Sequence, residues 1–306
     1  MQAPSFDQAA HTYARAVGGR ISGDSVRRLT EGFGQGVAEK RQAEVAGAYD
    51  LRAGEAPGLT VVDALDGQGN VSTDGVMMLV CEEGWKEVKL TVWSQCAASE
   101  DPERRVQLSR HSCQAGLWDA DTMARYQYVE GLRCGAPACA RLGSVNDAAA
   151  WILRCSHRWI TADNFPQAAL IVDWPHAQGR VWQVAHSLFG EGTEAARRWA
   201  ETQVERLWQG RRAEIIAALA DFPHSAEARR ARAYFTQHLG HMDYGRYRDQ
   251  GYPIGSGTVE SGCKNCVQRR MKRSGRGWGR DTGQAMLSAL SELHSDRFDR
   301  VWQACA

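Results

Sequence analysis

Apolar and polar residues alternate along the chain between Val71 and Cys113, and this stretch is predicted to form three β-strands. The run VSTDGVMMLVC is the first, and a turn at residues 82–84 separates it from WKEVKLTVW, in which apolar and polar positions alternate. The segment RRVQLSRHSC is the third. Three strands in quick succession favour an antiparallel meander.

The next part of the chain alternates between helical and strand patterns. Apolar spacing predicts helices at residues 119–133 and 148–159, with a short strand at 140–145 between them. A near-continuous apolar run at 168–174 predicts a strand that is buried on both faces. Together with the meander, this order predicts an α/β fold whose sheet begins antiparallel and continues parallel.

Helical patterns dominate the rest of the chain. Residues 175–250 carry helical spacing throughout, and the loop GYPIGSG leads into two more helices at 258–274 and 281–294. A further pair of short helices is predicted at residues 5–40.

The N-terminal pair of helices is separated by Gly18-Gly19, and Ser22 or Asp24 is the candidate N-cap of the second helix. Two short helices around a tight glycine turn resemble a helix-turn-helix. The alternative is a helical hairpin that packs on the main domain, because such hairpins are common connectors.

Composition is that of a globular protein, with 43% hydrophobic and 24% charged residues among 306. The balance of 37 basic against 36 acidic residues excludes a uniformly basic coat but allows a local basic patch. Nine cysteines without a signal-peptide pattern favour a reducing cytoplasm. The apolar runs are too short to span a bilayer, so no membrane association is expected.

Three carboxylates stand at informative positions. Asp74 lies inside the first strand, Asp147 where the fourth strand ends, and Glu260 in the first turn of the helix after GSG. A buried charge is costly unless it is paired or bound to metal, and carboxylate oxygens suit Mg²⁺. The strand order matches the ribonuclease H-like layout, in which Asp74 and Asp147 would meet on adjacent strands. The alternative is that each is an edge or cap residue.

The strongest charge asymmetry follows Glu260. Between Lys264 and Arg280 there are seven basic residues and no acidic one. They are Lys264, Arg269, Arg270, Lys272, Arg273, Arg276 and Arg280. Such a segment is predicted to bind DNA phosphates, the alternative being a solvated basic helix face. Cys263 and Cys266 fall on an apolar stripe, which favours buried thiols over zinc ligands.

Four blocks of the chain resemble those of bacterial insertion-sequence transposases of the ISKra group, relatives of the Mutator-like superfamily. They are STDGVMMLVCEEGWKEVKLTVW, VNDAAAWI, LIVDWPHA and YPIGSGTVESGCKNCVQRRMKRSGRGW. The blocks occur in the order found in that group and cover most of the chain from Val71 onward. One departure is that Asn146 and Ala148 stand where the group commonly has glycines beside the second aspartate.

The resemblance implies a DDE transposase with a ribonuclease H-like catalytic domain. Asp74, Asp147 and Glu260 would bind Mg²⁺ or Mn²⁺, and Asp173 and His176 would form an auxiliary D-x-x-H pair. Asp173 is the alternative to Asp147 as second aspartate, because it ends a very apolar strand. The expected parts are a helical N-terminal region at 1–52, a ribonuclease H-like core at 53–174, an all-α insertion at 175–250 and C-terminal helices at 251–306 that complete the core.

The expected activity is metal-dependent DNA strand cleavage and strand transfer of an insertion sequence. The partners would be transposon ends and target DNA, bound by a homo-oligomer in the bacterial cytoplasm at the nucleoid. One alternative is a decayed or truncated copy that binds DNA without catalysis. Another is a ribonuclease H-like nuclease that cleaves branched DNA without end specificity.

Overall fold

The computed structural model describes residues 3–48, 59–62, 64–99, 106–159, 164–273 and 276–305, which form an α/β structure with a five-stranded mixed sheet. The strands are β1 (Gln68–Val80), β2 (Gly84–Ala98), β3 (Val106–Gly116), β4 (Arg141–Asn146) and β5 (Ala168–Val172). Their spatial order is β3-β2-β1-β4-β5, antiparallel from β3 to β1 and parallel from β1 to β5. The predicted α/β class and the antiparallel-then-parallel sheet are confirmed.

The helices follow the predicted pattern closely. They are α1 (Phe6–Val17), α2 (Gly23–Ala48), α3 (Ala120–Arg133), α4 (Ala150–Trp159), α5 (Trp174–Phe189), α6 (Glu194–Trp208), α7 (Arg212–Ala220), α8 (Ala226–Gln237), α9 (Tyr244–Asp249), α10 (Gly257–Gly262), α11 (Arg269–Met271), α12 (Arg280–His294) and α13 (Phe298–Cys305). A π-helical segment, Cys263–Gln268, joins α10 to α11. The sequence patterns did not indicate α13. Across the described ranges, no helix is long and apolar enough to cross a bilayer.

Strand β5 is less buried than its apolar sequence predicts. Residues 168–170 are only half-buried, whereas Ile171 and Val172 are buried. The prediction of burial on both faces is wrong for the first part of the strand because β5 forms the edge of the sheet. Helices α5–α9 cover its last residues, where the Tyr244 hydroxyl donates a hydrogen bond to the Val172 carbonyl at 2.9 Å.

The N-terminal helices form a hairpin that packs on the main domain. Helix α1 ends at Gly18, whose left-handed backbone (φ 71°) lets its N–H reach the Ala14 carbonyl. The Ser22 hydroxyl accepts from the Ser25 N–H at 3.0 Å, as expected of an N-cap. Helix α2 is longer than predicted and packs along α12. The predicted boundary at residues 52–53 lies outside the described residues.

A buried network of six charged side chains holds α2, α3 and the C-terminal helices against the sheet. It contains three arginines and three glutamates: Arg41, Glu44, Glu130, Arg133, Glu292 and Arg297. Glu292 bridges Arg41 (Nη2 at 2.6 Å) and Arg297 (Nε at 2.9 Å). Glu130 contacts Arg133 and accepts from Arg297 Nη1 at 2.8 Å. The charges balance, which is the condition for burying them without a large penalty.

The pKa of Glu130 shows how strongly the arginines of the network stabilise its charged form. The carboxyl is fully buried, and burial alone would raise its pKa. The charges of Arg133, Arg297 and Arg41 outweigh burial and hold the pKa well below its usual range. A depressed carboxyl pKa means that the contribution to stability is present at neutral pH and is lost as the pH falls through the acid range.

We expect Glu130→Gln to lower the free energy of unfolding by about 3–5 kcal/mol, because it removes a buried carboxylate from both Arg133 and Arg297 and leaves three arginines facing two glutamates. Urea unfolding followed by circular dichroism measures the change. Glu194→Gln is the matched control, since Glu194 forms an exposed pair with Arg197 and its loss should be hardly detectable. Equal effects of the two substitutions would contradict a stabilising role of the network.

Candidate active site

Asp74 and Asp147 both follow the parallel pairing of β1 with β4. The last ladder pair joins Val71 and Ser144, so each aspartate lies three residues beyond it. Beyond the last ladder pair, the Thr73 N–H donates to Asn146 Oδ1 at 2.7 Å and holds the two strands together. The predicted meeting of the two carboxylates stays a prediction.

Asp74 is half-buried in the middle of β1 and is surrounded by negative charge. Its Oδ1 accepts from the Gly75 N–H at 2.7 Å, and the Cys263 thiol lies 3.8 Å from its Oδ2. Burial raises the pKa of Asp74, and the charges of Asp147 and Glu260 raise it further. Asp147 and Glu260 thus both act electrostatically on Asp74, although the three residues come from distant parts of the chain.

Glu260 reaches this region because α10 packs tightly on the sheet. Gly262 permits the approach, since a Cβ at that position would lie 2.9 Å from Leu90 and 3.0 Å from Val92. The Ser256 hydroxyl donates to Glu260 Oε1 at 3.3 Å. Glu260 itself is exposed, so its carboxylate remains open to solvent.

The helix that carries Glu260 continues through the π-helical segment Cys263–Gln268 before it ends at Met271. The predicted end at residue 274 is wrong, because Lys272 has left the helical conformation (φ -99°, ψ 83°). Cys263 and Cys266 are both buried, as the apolar stripe predicted. Single π turns in α-helices are frequent at functional sites, where they redirect the side chains on either side.

Asp173 is fully buried and ties the start of α5 to the loop before Glu260. Its Oδ2 accepts from the His176 N–H at 3.0 Å and lies 2.6 Å from His176 Nδ1. Its Oδ1 accepts from the Ser256 N–H at 2.6 Å. Both carboxylate oxygens of Asp173 therefore accept hydrogen bonds. Asp173 also fixes Ser256, whose hydroxyl contacts Glu260.

His176 lies near the carboxylates, and their negative charges raise its pKa. Burial lowers the pKa of His176, but the hydrogen bond and charge of Asp173 outweigh that effect. The charges of Asp147 and Glu260 act in the same direction, so the pKa lies above its ordinary value. The predicted auxiliary pair therefore lies within electrostatic range of two of the three carboxylates.

Arg180 and Tyr234 were not predicted but lie close to the same region. The Arg180 guanidinium lies 5.5 Å from the Tyr234 ring centroid. Burial raises the pKa of Tyr234 to about 12, and the charges of Asp147 and Asp173 contribute to the rise. The sequence signal for Arg180 was its position four residues after His176 on one helix, which puts both on the same face. Tyr234 gave no such signal, because it comes from a helix distant in sequence.

The basic segment is divided by the structure into two groups. Arg270 is buried between the rings of Phe6 (4.4 Å) and Trp278 (5.1 Å), and burial with its cationic neighbours lowers its pKa to about 10. Arg280 forms an ion pair with Glu83 at 2.6 Å. The remaining five are exposed: Lys264, Arg269, Lys272, Arg273 and Arg276.

Four of these five exposed cations form a surface cleft. Arg269, Lys272, Arg273 and Arg276 line a space of about 570 Å³ together with the first residues of the chain around Ser5. The N-terminus of α1 thus lies next to the basic segment, held there by the packing of Phe6 on Arg270. The described residues that line the cleft include these four cations and no acidic side chain.

Asp147 is followed by a strained residue. Its Oδ1 accepts from the Ala149 N–H at 2.8 Å, which closes a tight turn, and Ala148 at the centre of that turn has φ 65°. This left-handed conformation favours glycine and costs a residue with a Cβ about 1–2 kcal/mol. Ala148 thus occupies a position whose backbone suits the glycine that the resembling transposases commonly have there.

In the part of the chain that the structure describes, no group of three or more His, Cys, Asp or Glu side chains is gathered closely enough to hold a metal ion. Asp74, Asp147 and Glu260 are thus close enough for Asp147 and Glu260 to affect Asp74, but they are not gathered into a metal-binding cluster. The chain matches no protein-family model. No curated protein matches it either.

We expect Ala148→Gly to raise the free energy of unfolding by about 0.5 kcal/mol, because relief of the left-handed strain exceeds the extra entropy of the unfolded chain. Ala217→Gly, on the exposed face of α7, is the control and should lower it by about 1 kcal/mol. Chemical denaturation of both variants decides the point. A loss of stability at position 148 as large as that at 217 would contradict the strain.

Proposed function

We propose that the chain is a DDE-type DNA transposase with a ribonuclease H-like core, and that it cleaves and rejoins DNA strands with Mg²⁺ or Mn²⁺. The observation that carries the proposal is the electrostatic effect of both Asp147 and Glu260 on the Asp74 carboxyl, with Asp147 directly after the strand that pairs with β1. The strand order β3-β2-β1-β4-β5 agrees with the expected layout. The all-helical stretch of α5–α9 agrees with the expected insertion.

The donor set fits a hard divalent cation. Asp74, Asp147 and Glu260 offer only oxygen, and their mutual repulsion is of the kind that a cation offsets. Mg²⁺ needs few protein ligands, because waters and phosphate oxygens complete its shell, so an open set of carboxylates is sufficient. When bound, such ions activate a water and stabilise charge on the phosphodiester.

Asp147 is the better second ligand and Asp173 the positioning residue. Asp173 is fully buried and both its oxygens accept hydrogen bonds from His176 and Ser256. Asp147 is half-buried and uses Oδ1 to accept from the Ala149 N–H. In this assignment Asp173 holds Ser256, and Ser256 directs the carboxylate of Glu260.

DNA would be bound by the exposed members of the basic segment, which begins four residues after Glu260. The cleft formed by Arg269, Lys272, Arg273 and Arg276 is suited to a phosphate backbone. Since a transposase must hold two DNA ends at once, we propose that it acts as a homo-oligomer in the bacterial cytoplasm at the nucleoid.

A second candidate is a DNA-binding protein without catalysis, derived from such a transposase. Two observations favour it. The described residues contain no gathered metal-holding group, and Ala148 strains the backbone beside Asp147. The basic cleft would serve this function equally well.

Asp74→Asn tests the catalytic proposal. Loss of one metal-binding carboxylate should reduce Mg²⁺-dependent cleavage of DNA carrying the element's own ends by about 100-fold or more, with DNA affinity nearly unchanged. Strand products resolved on denaturing gels give the rates. Asp221→Asn, at an exposed aspartate after α7, should cleave like the wild type.

Wild-type-like cleavage by Asp74→Asn would refute the metal-site assignment. If the wild-type chain binds DNA but does not cleave it with either Mg²⁺ or Mn²⁺, the second candidate is the correct one.

The double variant Arg273→Gln/Arg276→Gln tests the DNA surface. Removing two phosphate contacts should weaken duplex binding and reduce the slope of log affinity against log salt concentration by about 2. Fluorescence anisotropy across a salt series measures both quantities. Arg154→Gln/Arg158→Gln on α4 is the control, because these arginines pair with Asp121. Equal slopes for the two double variants would exclude the basic cleft as the binding surface.

A further inference from the structure

The β1–β2 hairpin extends well beyond the parallel part of the sheet. Pairing of β1 with β4 ends at Val71, whereas the antiparallel pairing of β1 with β2 continues to Val80. The hairpin arm, residues 75–89, thus lies past Asp74 as a two-stranded extension of the sheet. An extension next to the candidate active site is in a position to contact whatever that site binds.

The two faces of the hairpin arm differ in burial. Side chains alternate between the faces of a strand, and one set is buried in the core formed with α10 and α12: Val76, Met78, Val80 and Val88. On the other face, Met77 and Trp85 are 42% and 55% exposed. Trp85 lies opposite the half-buried Leu79 across the hairpin. Three neighbouring apolar side chains with an exposed tryptophan among them indicate a contact surface.

The exposed ring of Trp85 adjoins the basic segment. Lys272 Nζ lies 5.8 Å from the centroid of the Trp85 ring. The same lysine lines the basic cleft together with Arg269, Arg273 and Arg276. Lys272 therefore connects a flat apolar ring to the cations that are proposed to bind phosphates.

Main-chain contacts hold the basic segment beside the hairpin arm. The Trp278 N–H donates to the Leu79 carbonyl at 3.0 Å, and the Cys81 N–H donates to the Trp278 carbonyl at 2.8 Å. Gly277 permits this approach, since a Cβ at that position would lie 2.9 Å from Cys81 Sγ. The backbone of the fold therefore sets the position of the ring relative to the cleft.

Ion pairs neutralise most of the negative charge on the hairpin arm. Its three acidic residues are Glu82, Glu83 and Glu87. Glu83 pairs with Arg280 at 2.6 Å, and Glu87 pairs with Lys89. Glu82 lies exposed at the turn, so a polyanion would approach the ring from the side of the basic cleft.

We propose that the ring of Trp85 stacks on an unpaired base of single-stranded DNA, whose phosphates lie along the adjoining basic cleft. Every base has a flat face that stacks on an aromatic ring, and a positively charged groove beside such a ring is how proteins hold single strands without sequence preference. Base faces inside a duplex are covered by their neighbours, so this contact selects unpaired nucleotides. The inference rests on the DNA-binding part of the proposed function and not on strand cleavage.

Fluorescence anisotropy of a labelled oligothymidylate titrated with the full chain tests the proposal. Trp85→Leu removes the ring but keeps an apolar side chain, and we expect it to weaken binding about fivefold or more. Trp85→Phe, which keeps a smaller ring, should recover part of the loss. Trp302→Leu is the matched control, because Trp302 is a 40% exposed tryptophan on α13 and should not affect the affinity. Circular dichroism verifies that the variants fold.

Two further probes of the same length separate stacking from phosphate binding. An abasic oligomer and a DNA duplex both offer phosphates but no free base, so Trp85→Leu should bind them like the wild type. Arg273→Gln/Arg276→Gln should weaken the binding of all three probes, because it removes phosphate contacts. If the arginine variant weakens all three but Trp85→Leu weakens none, this inference fails while the proposed DNA surface stands. If the arginine variant binds every probe like the wild type, the proposed DNA surface itself fails.

Several other outcomes would also overturn the inference. They are no binding of oligothymidylate by the wild type, an equal loss of affinity in Trp302→Leu, and an equal loss for the duplex and abasic probes in Trp85→Leu. Tighter binding of oligouridylate would assign the surface to RNA instead. A smaller oligomer of Trp85→Leu in analytical ultracentrifugation, with unchanged affinity for oligothymidylate, would assign the ring to a contact with a second copy of the chain.

Discussion

The candidate site depends on the register of one parallel strand pair. Side chains alternate between the two faces of a strand, so a slip of one residue between β1 and β4 would turn Asp147 away from Asp74. The Thr73 N–H to Asn146 Oδ1 bond prevents such a slip at the point where the ladder ends. Asn146 thus supplies a side-chain contact between the two strands, which a glycine at this position could not make.

The patterns of apolar residues predicted the sheet and most helices because each element buries one face or both. The helix predicted at 119–133 begins after its N-cap Asp119, where the Thr122 N–H donates to Oδ1 at 2.7 Å. The burial of β5 could not be predicted in the same way. Whether an apolar strand is central or at an edge depends on strand order, which its own residues do not encode.

The ionic network and the division of the basic segment lay beyond sequence reasoning for a different reason. Arg41 and Glu292 are separated by most of the chain, and each has the appearance of an ordinary charge on a helix. Arg280 was predicted to bind DNA because its neighbours are basic, but its nearest partner in space is Glu83 on the β1–β2 turn. Long-range pairing decides which charges remain available, and a single sequence does not reveal such pairs.

The buried Arg270 attaches the exposed members of the basic segment to the rest of the fold. Arg270 is held between Phe6 of α1 and Trp278, and the Trp278 main chain is bonded to Leu79 and Cys81 at the end of β1. These contacts attach the basic segment both to the N-terminal helix and to the strand that carries Asp74. Because cations on a rigid frame lose less conformational freedom when they bind a ligand, this attachment would favour the proposed binding of DNA phosphates.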